Sequence, residues 1–217
     1  MAGTFITFEG IDGSGKSTQL RLVANFLREQ GCTPLLTREP GGTNIGLRLR
    51  AALLDANEEV DPLAELLVFA ADRAQHVRRV LRPALEKGDV VFSDRYADAT
   101  VAYQGAGRGF DPPLIEQIVK LATDGLTPDL TLLFDVSVDE STNRTTRRSN
   151  ARNKLDQMDI EHSDFHQRVR DAYLQIAEAE PNRVKVIDTS GPVEQTQERV
   201  KKILVPFLQG RGHLSTD

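Results

Sequence analysis

The segment Gly10-Ile11-Asp12-Gly13-Ser14-Gly15-Lys16-Ser17 leaves this 217-residue chain few folds to choose from. It follows a strand-like apolar run, Thr4 to Glu9, and opens a helix-like run from Lys16 to Gln30. Glycines at this spacing let successive backbone N–H groups turn inward around an anion, and the helix N-terminus adds positive potential. In such a loop Lys16 reaches β- and γ-phosphate oxygens, the Ser17 hydroxyl suits Mg²⁺, and Thr18 continues into the helix. The loop therefore predicts a polyphosphate ligand, ATP, and leaves open what receives its phosphate.

Four more strand-like segments recur between longer helical patterns: Thr33–Thr37, Val90–Asp94, Leu130–Asp135 and Val184–Asp188. Leu20, Val23, Ala24 and Leu27 recur at the spacing of one buried helix face. A long helix is expected from Pro62 to about Lys87, with Leu63, Leu66, Leu67, Ala70, Ala74, Val77, Leu81 and Leu85 as its apolar face. A last one carries Val193, Val200, Ile203, Leu204 and Phe207, and the tail from Gly210 is expected to fray. Alternating strands and helices predict an α/β fold, a parallel sheet between two helical layers. Ligands in such sheets bind outside the carboxyl ends of the strands. Glu9, Thr37-Arg38, Asp94-Arg95 and Asp188-Thr189 all stand at predicted strand ends and should share one crevice.

Composition narrows the class. A net charge of −5 argues against a general nucleic-acid or membrane-surface binder. The single Cys32 cannot form an internal disulfide, the opening residues carry no secretory pattern, and the longest apolar run is only Leu66 to Ala71. A cytoplasmic protein of one domain, without a membrane span, is expected.

The strand ends suggest the acceptor. Arg38, in TREPGGT, can take an anionic oxygen bidentately, although Pro-Gly-Gly alone also reads as a plain turn. Asp94 can hold Mg²⁺ directly or through water, and Arg95 can span donor and acceptor phosphates. The bland alternative is an Asp–Arg ion pair capping the next helix. Gly105, Gly107 and Gly109 predict an irregular loop presenting Tyr103 and Gln104, an aromatic plane and an amide suited to a nucleoside. Phe69 and Arg73 share a helix face at i, i+4 and can stack on a base and donate to its carbonyl edge. Arg144, Arg147, Arg148, Arg152 and Lys154, with no acid among them, suggest a lid over triphosphate at about 142–157. An RNA-binding arm competes, disfavoured by the absence of aromatics in that run.

Taken in order, Phe8-Glu9-Gly10 running into Gly15-Lys16-Ser17-Thr18-Gln19, then TREPGGT, FAADRAQH, DRY and AYQGAGRG, closely resemble bacterial thymidylate kinase. Single pieces occur in other nucleotide kinases, whereas TREPGGT with AYQGAGRG is specific to this family. The resemblance implies a five-stranded phosphate-loop (P-loop) kinase of the nucleoside-monophosphate-kinase type, a homodimer, and ATP + dTMP giving ADP + dTDP with Mg²⁺. It implies that Gly10 to Thr18 hold ATP, with Ser17 and Asp94 at the metal. Arg38 and Arg95 would grip the dTMP phosphate. Phe69 would stack on thymine, Arg73 would reach its O4, and Thr100 and Gln104 would lie at its polar edge. Tyr103 would pack on the deoxyribose, and Glu9 would lie near the sugar hydroxyl and metal.

Gly13 stands where one branch of the family carries a basic residue, so the chain resembles the branch that supplies a catalytic arginine from the lid. Arg148 and Arg152 are the candidates. The chain departs from the family pattern at Ala99, Gln157 and Asp159. Other readings remain at this point: a deoxynucleoside kinase using Glu9 as base, another nucleoside monophosphate kinase, and a non-catalytic nucleotide switch.

Overall fold

The computed structural model describes residues 3–54, 59–152 and 163–215, and of 148–152 the backbone alone. Five parallel strands form one sheet: β1 (Thr4–Glu9), β2 (Leu35–Arg38), β3 (Val90–Asp94), β4 (Leu130–Asp135) and β5 (Val184–Asp188), in the order β2-β3-β1-β4-β5. The second strand starts two residues later than expected and includes Arg38. Helices α1 (Lys16–Glu29), α2 (Asn44–Leu54) and α3 (Pro62–His76) are followed by α4 (Arg82–Glu86), α5 (Ala97–Thr100) and α6 (Pro112–Thr123). Helices α7 (Val138–Arg152), α8 (Ser163–Ala179) and α9 (Val193–Gly210) complete the described set.

Side chains alternate across a strand, so β1 serves two layers at once. Ile6 and Phe8 pack with Leu20, Val23 and Leu27 of α1 and Val200 and Leu204 of α9. Phe5 faces the opposite layer, with Val77, Leu81 and Tyr96. Glu9 shares the parity of Phe5, which carries its carboxyl toward Tyr96 and Tyr173 rather than toward α1. On its two sides β1 pairs with β3 and β4, and this divergence places the loop after β1 at a topological switch point. The register sets Phe8 and Arg38 both opposite Asp94, bringing three strand ends level.

Four sequence expectations change. The long helix does not run unbroken to Lys87: Val77–Leu81 is a π-helical turn, with Arg82 N donating to Val77 O. Its expected apolar face is split, because Leu66, Val77 and Leu81 are buried while Leu63 and Leu67 are exposed. The glycine-rich Val101–Gly107 is also π-helical, closed by Arg108 N donating to Tyr103 O at 2.9 Å. Residues 210–215 are tied down rather than frayed: His213 Nε2 and Thr4 Oγ1 lie 2.8 Å apart, Arg211 pairs with Asp129, and Leu214 packs on the core.

Candidate active site

The phosphate loop leaves β1 and enters α1 with left-handed backbone at Gly13 and Gly15. Lys16 Nζ folds back to donate to Ile11 O at 2.9 Å. Burial, with the Arg95 charge beside it, brings the Lys16 ammonium down to about 8. Ser14 Oγ is buried with no partner among the described residues, a donor suited to an anion in the loop. A cleft of about 1020 Å³ opens over the loop, lined by Gly13 to Thr18 and by Arg38, Asp94, Arg95, Arg144 and Thr189.

The Ser17 hydroxyl donates to Asp94 Oδ2 at 2.5 Å at the edge of this cleft. Two hard oxygen donors, a hydroxyl and a carboxylate side by side, fit Mg²⁺, which is held by few protein oxygens, phosphate and water.

A second compartment adjoins the first. Phe69, Arg73, Tyr96, Ala99, Thr100, Tyr103 and Gln104 line it, together with Glu39, Pro40 and Asp72. Asp12, Glu39, Arg50, Leu54 and Arg95 line both compartments, so Arg95 stands on their seam. Its guanidinium donates to Asp12 Oδ1 at 2.9 Å, Tyr103 OH at 3.0 Å, Gly10 O at 3.1 Å and Tyr173 OH at 3.3 Å. It also lies over the Tyr103 ring. Burial opposes ionisation of Asp12, but the Arg95 and Lys16 charges win and hold its carboxyl well below the usual range. Arg95 has a φ of 72°, a strained conformation for a non-glycine residue. Its amide donates to Phe8 O at 3.0 Å and its carbonyl accepts from Ser93 Oγ at 2.7 Å, holding that turn in place.

Arg73 is buried and committed on three sides, donating to Glu39 Oε2 at 2.7 Å and to Thr100 Oγ1 and Tyr96 O at 2.8 Å. The other Glu39 oxygen lies 2.8 Å from His76 Nδ1, and His76 Nε2 lies 2.7 Å from Thr37 Oγ1. A Cβ on Gly42 would come within 2.5 Å of that imidazole, so the second glycine of TREPGGT is a packing requirement. Sequence reasoning assigned no role to Glu39, His76 or Asp72. For Asp72 and His76 the only signal was polarity inside an apolar helical pattern, and for Glu39 its place in the TREPGGT turn after β2.

Helix α7 borders the phosphate-loop cleft. Ser141 Oγ donates to Asp12 O, and Arg144 donates to Gly13 O at 3.4 Å and Thr189 O at 2.7 Å. A Cβ at Gly13, where φ is 75°, would lie 2.6 Å from Ser141 O. The first turn of α7 thus sits directly on the loop glycine. From the basic run at 144–154, Arg144 lines this cleft, whereas the side chains of Arg148 and Arg152 lie outside the described residues, as do Gln157 and Asp159. Glu9 is fully buried behind the crevice, with Oε1 accepting from Tyr96 N at 2.7 Å and Oε2 from Tyr173 OH at 2.8 Å. Burial and the Asp98 charge push its carboxyl up to about 7.

Comparison with known proteins decides the family. The thymidylate kinase family model matches residues 8–200. This chain belongs to the thymidylate kinase family. It is 49% identical to the thymidylate kinase of Geotalea uraniireducens over 209 residues, covering 95% of this chain and 98% of that one. It is 47% identical to the Deinococcus radiodurans thymidylate kinase over 198 residues, 91% of this chain and 94% of that one. The crystal structure of thymidylate kinase from Ehrlichia chaffeensis superposes with a TM-score of 0.75 at 37% identity, covering 94% of this chain and all of that one. Thymidylate kinase membership makes the chain a nucleoside monophosphate kinase, a phosphotransferase on the P-loop fold. Among the described residues no helix is long and apolar enough to cross a membrane.

Proposed function

We propose that the paired compartments transfer the γ-phosphoryl group of ATP to dTMP, giving ADP and dTDP for dTTP synthesis. Arg95 carries this reading, because one guanidinium lines both the phosphate-loop cleft and the compartment holding Phe69, Arg73 and Gln104. Lys16 and the loop amides hold the ATP phosphates. Arg38 and Arg95 take the dTMP phosphate. Phe69 stacks on thymine, Arg73 donates to its O4, Thr100 and Gln104 meet its polar edge, and Tyr103 packs where a 2′-OH would intrude.

A phosphate monoester has its second pKa near ~6, so the acceptor is largely dianionic at neutral pH and needs no general base. The protein's task is to offset repulsion between two anions and align them in line. Arg38, Arg95, Lys16 and a lid arginine, Arg148 or Arg152, do this. Ser17 and Asp94 would hold Mg²⁺, which neutralises charge on the transferred group when bound. Both oxygens of Glu9 are engaged by Tyr96 and Tyr173, which favours a phosphorylated acceptor over a sugar hydroxyl awaiting a carboxylate base. We read the chain as one cytoplasmic kinase domain with a lid at about 142–157. We also read it as a homodimer, a reading supported by the exposed Leu63 and Leu67 of α3 and Leu114 and Leu121 of α6.

Steady-state assays of ATP with dTMP, thymidine, CMP and AMP test the function. Turnover is expected with dTMP, and failure with dTMP alongside good activity on CMP or AMP would refute it. Of Arg148→Ala and Arg152→Ala, the variant that lowers kcat with little change in KM identifies the catalytic lid residue.

A further inference from the structure

We propose that Glu65 is a positioning residue that fixes the hydrogen-bonding polarity of Gln104, and through it the preference for a pyrimidine bearing an N3–H. The proposal rests on the dTMP reading above. Glu65 lies on α3, one helical turn before Phe69 and outside the lining of the base-side compartment, whereas Gln104 lines it. Gln104 Nε2 donates to Glu65 Oε1 at 2.8 Å, and Arg108 Nη2 donates to Glu65 Oε2 at 2.9 Å. A carboxylate paired with a guanidinium only accepts. The carboxamide therefore cannot turn its own oxygen toward Glu65 without setting acceptor against acceptor.

Glu65 is 6% exposed and Gln104 3%, so water offers little relief from a wrong orientation. Gln104 Oε1 has no donor among the described residues and is left to a ligand in the compartment. Nearby, Arg73 has committed three of its five N–H groups and keeps two to donate. An acceptor beside donors complements thymine or uracil, whose N3 donates and whose O4 accepts. Cytosine presents an acceptor at N3 and a donor at N4, opposing both. The π-helical turn at Val101–Gly107 is the device that brings Gln104 to α3, and Glu65 decides which end of its amide faces inward.

The test compares kcat/KM for dTMP and dCMP, with ATP saturating, in the wild type and in Glu65→Gln. A neutral amide at position 65 can donate to Gln104 Oε1 and release Nε2 toward the base. The dTMP-to-dCMP ratio is then expected to fall at least about tenfold, through KM for the monophosphate with KM for ATP unchanged. A merely structural role would lower both substrates in parallel, and an unchanged ratio would overturn the proposal. Absence of dTMP turnover in the wild type would overturn the underlying reading as well, so the two failures are distinguishable. Should E65Q not fold, NMR of the wild type decides: a coupling across the hydrogen bond from ¹⁵N3 of labelled dTMP to the Gln104 carboxamide carbon is expected. A Gln104 amide proton directed at the base instead would overturn the assignment.

Discussion

Arg95 and Asp12 meet at 2.9 Å on the seam between the two compartments, so the cation that lines both is balanced by a carboxylate of the phosphate loop itself. With its guanidinium stacked over Tyr103 and its backbone held at a φ of 72°, Arg95 is aimed before any substrate arrives. Arg95→Ala should lower kcat by about 10³-fold or more. ATP affinity, measured by calorimetry, should stay within roughly threefold, since Lys16 and the loop amides remain. Unchanged turnover would remove Arg95 from the mechanism.

Glu9 makes stability depend on pH. Its carboxyl rises from the ordinary 4.5 to about 7 through burial and the Asp98 charge. Between those values the unfolded chain has released this proton while the folded chain keeps it. The associated stability is complete below about 4.5 and is lost as pH rises through about 7. Glu9→Gln keeps neutral hydrogen-bonding groups, so its Tm relative to wild type should increase as pH is raised across that window.

ATP binding should take up a proton near Lys16. Burial first, then the Arg95 charge, place the free ammonium at about 8, and polyphosphate against it will raise that value. Above about pH 8 the complex holds more protons than the free protein, so ATP affinity should fall by up to about tenfold per pH unit. Calorimetry in buffers of different ionisation enthalpy would show the uptake. A pH-independent Kd would contradict it.

Gly13→Ala places a Cβ at 2.6 Å from the Ser141 carbonyl and demands a left-handed backbone at position 13. A loss of about 1–3 kcal/mol of stability is expected, read by thermal unfolding, with weaker ATP binding as α7 is pushed off the loop. Gly13 is a contact surface for α7, and the 2.6 Å approach of the Ser141 carbonyl is the physical reason for the expected loss.

Local patterns carried much of the fold. The buried face of α1 and the positions of β1, β3, β4 and β5 were legible because apolar spacing reports burial directly. The π-helical Val101–Gly107 was not, because its glycines look like loop formers. Gly107 is in fact close-packed: a Cβ there would lie 2.6 Å from the Phe165 ring. In the site, the loop, Arg95, Phe69 and Arg73 were legible as motif residues. Glu39 and Glu65 were not, since each finds its partner more than thirty residues away, in Arg73 and Gln104.

By itself the sequence determined the phosphate loop, the parallel α/β order and the residues at each strand end, because backbone chemistry and apolar period act over a few neighbouring residues. Only the tertiary structure decided that Arg95 lies on a seam, that Arg144 reaches the loop, and that Glu9 turns away behind the crevice. Those outcomes depend on which strand lies beside which and on the parity of side chains across the sheet. Buried charges then take whichever partners that arrangement brings within reach, because the interior leaves them no water instead.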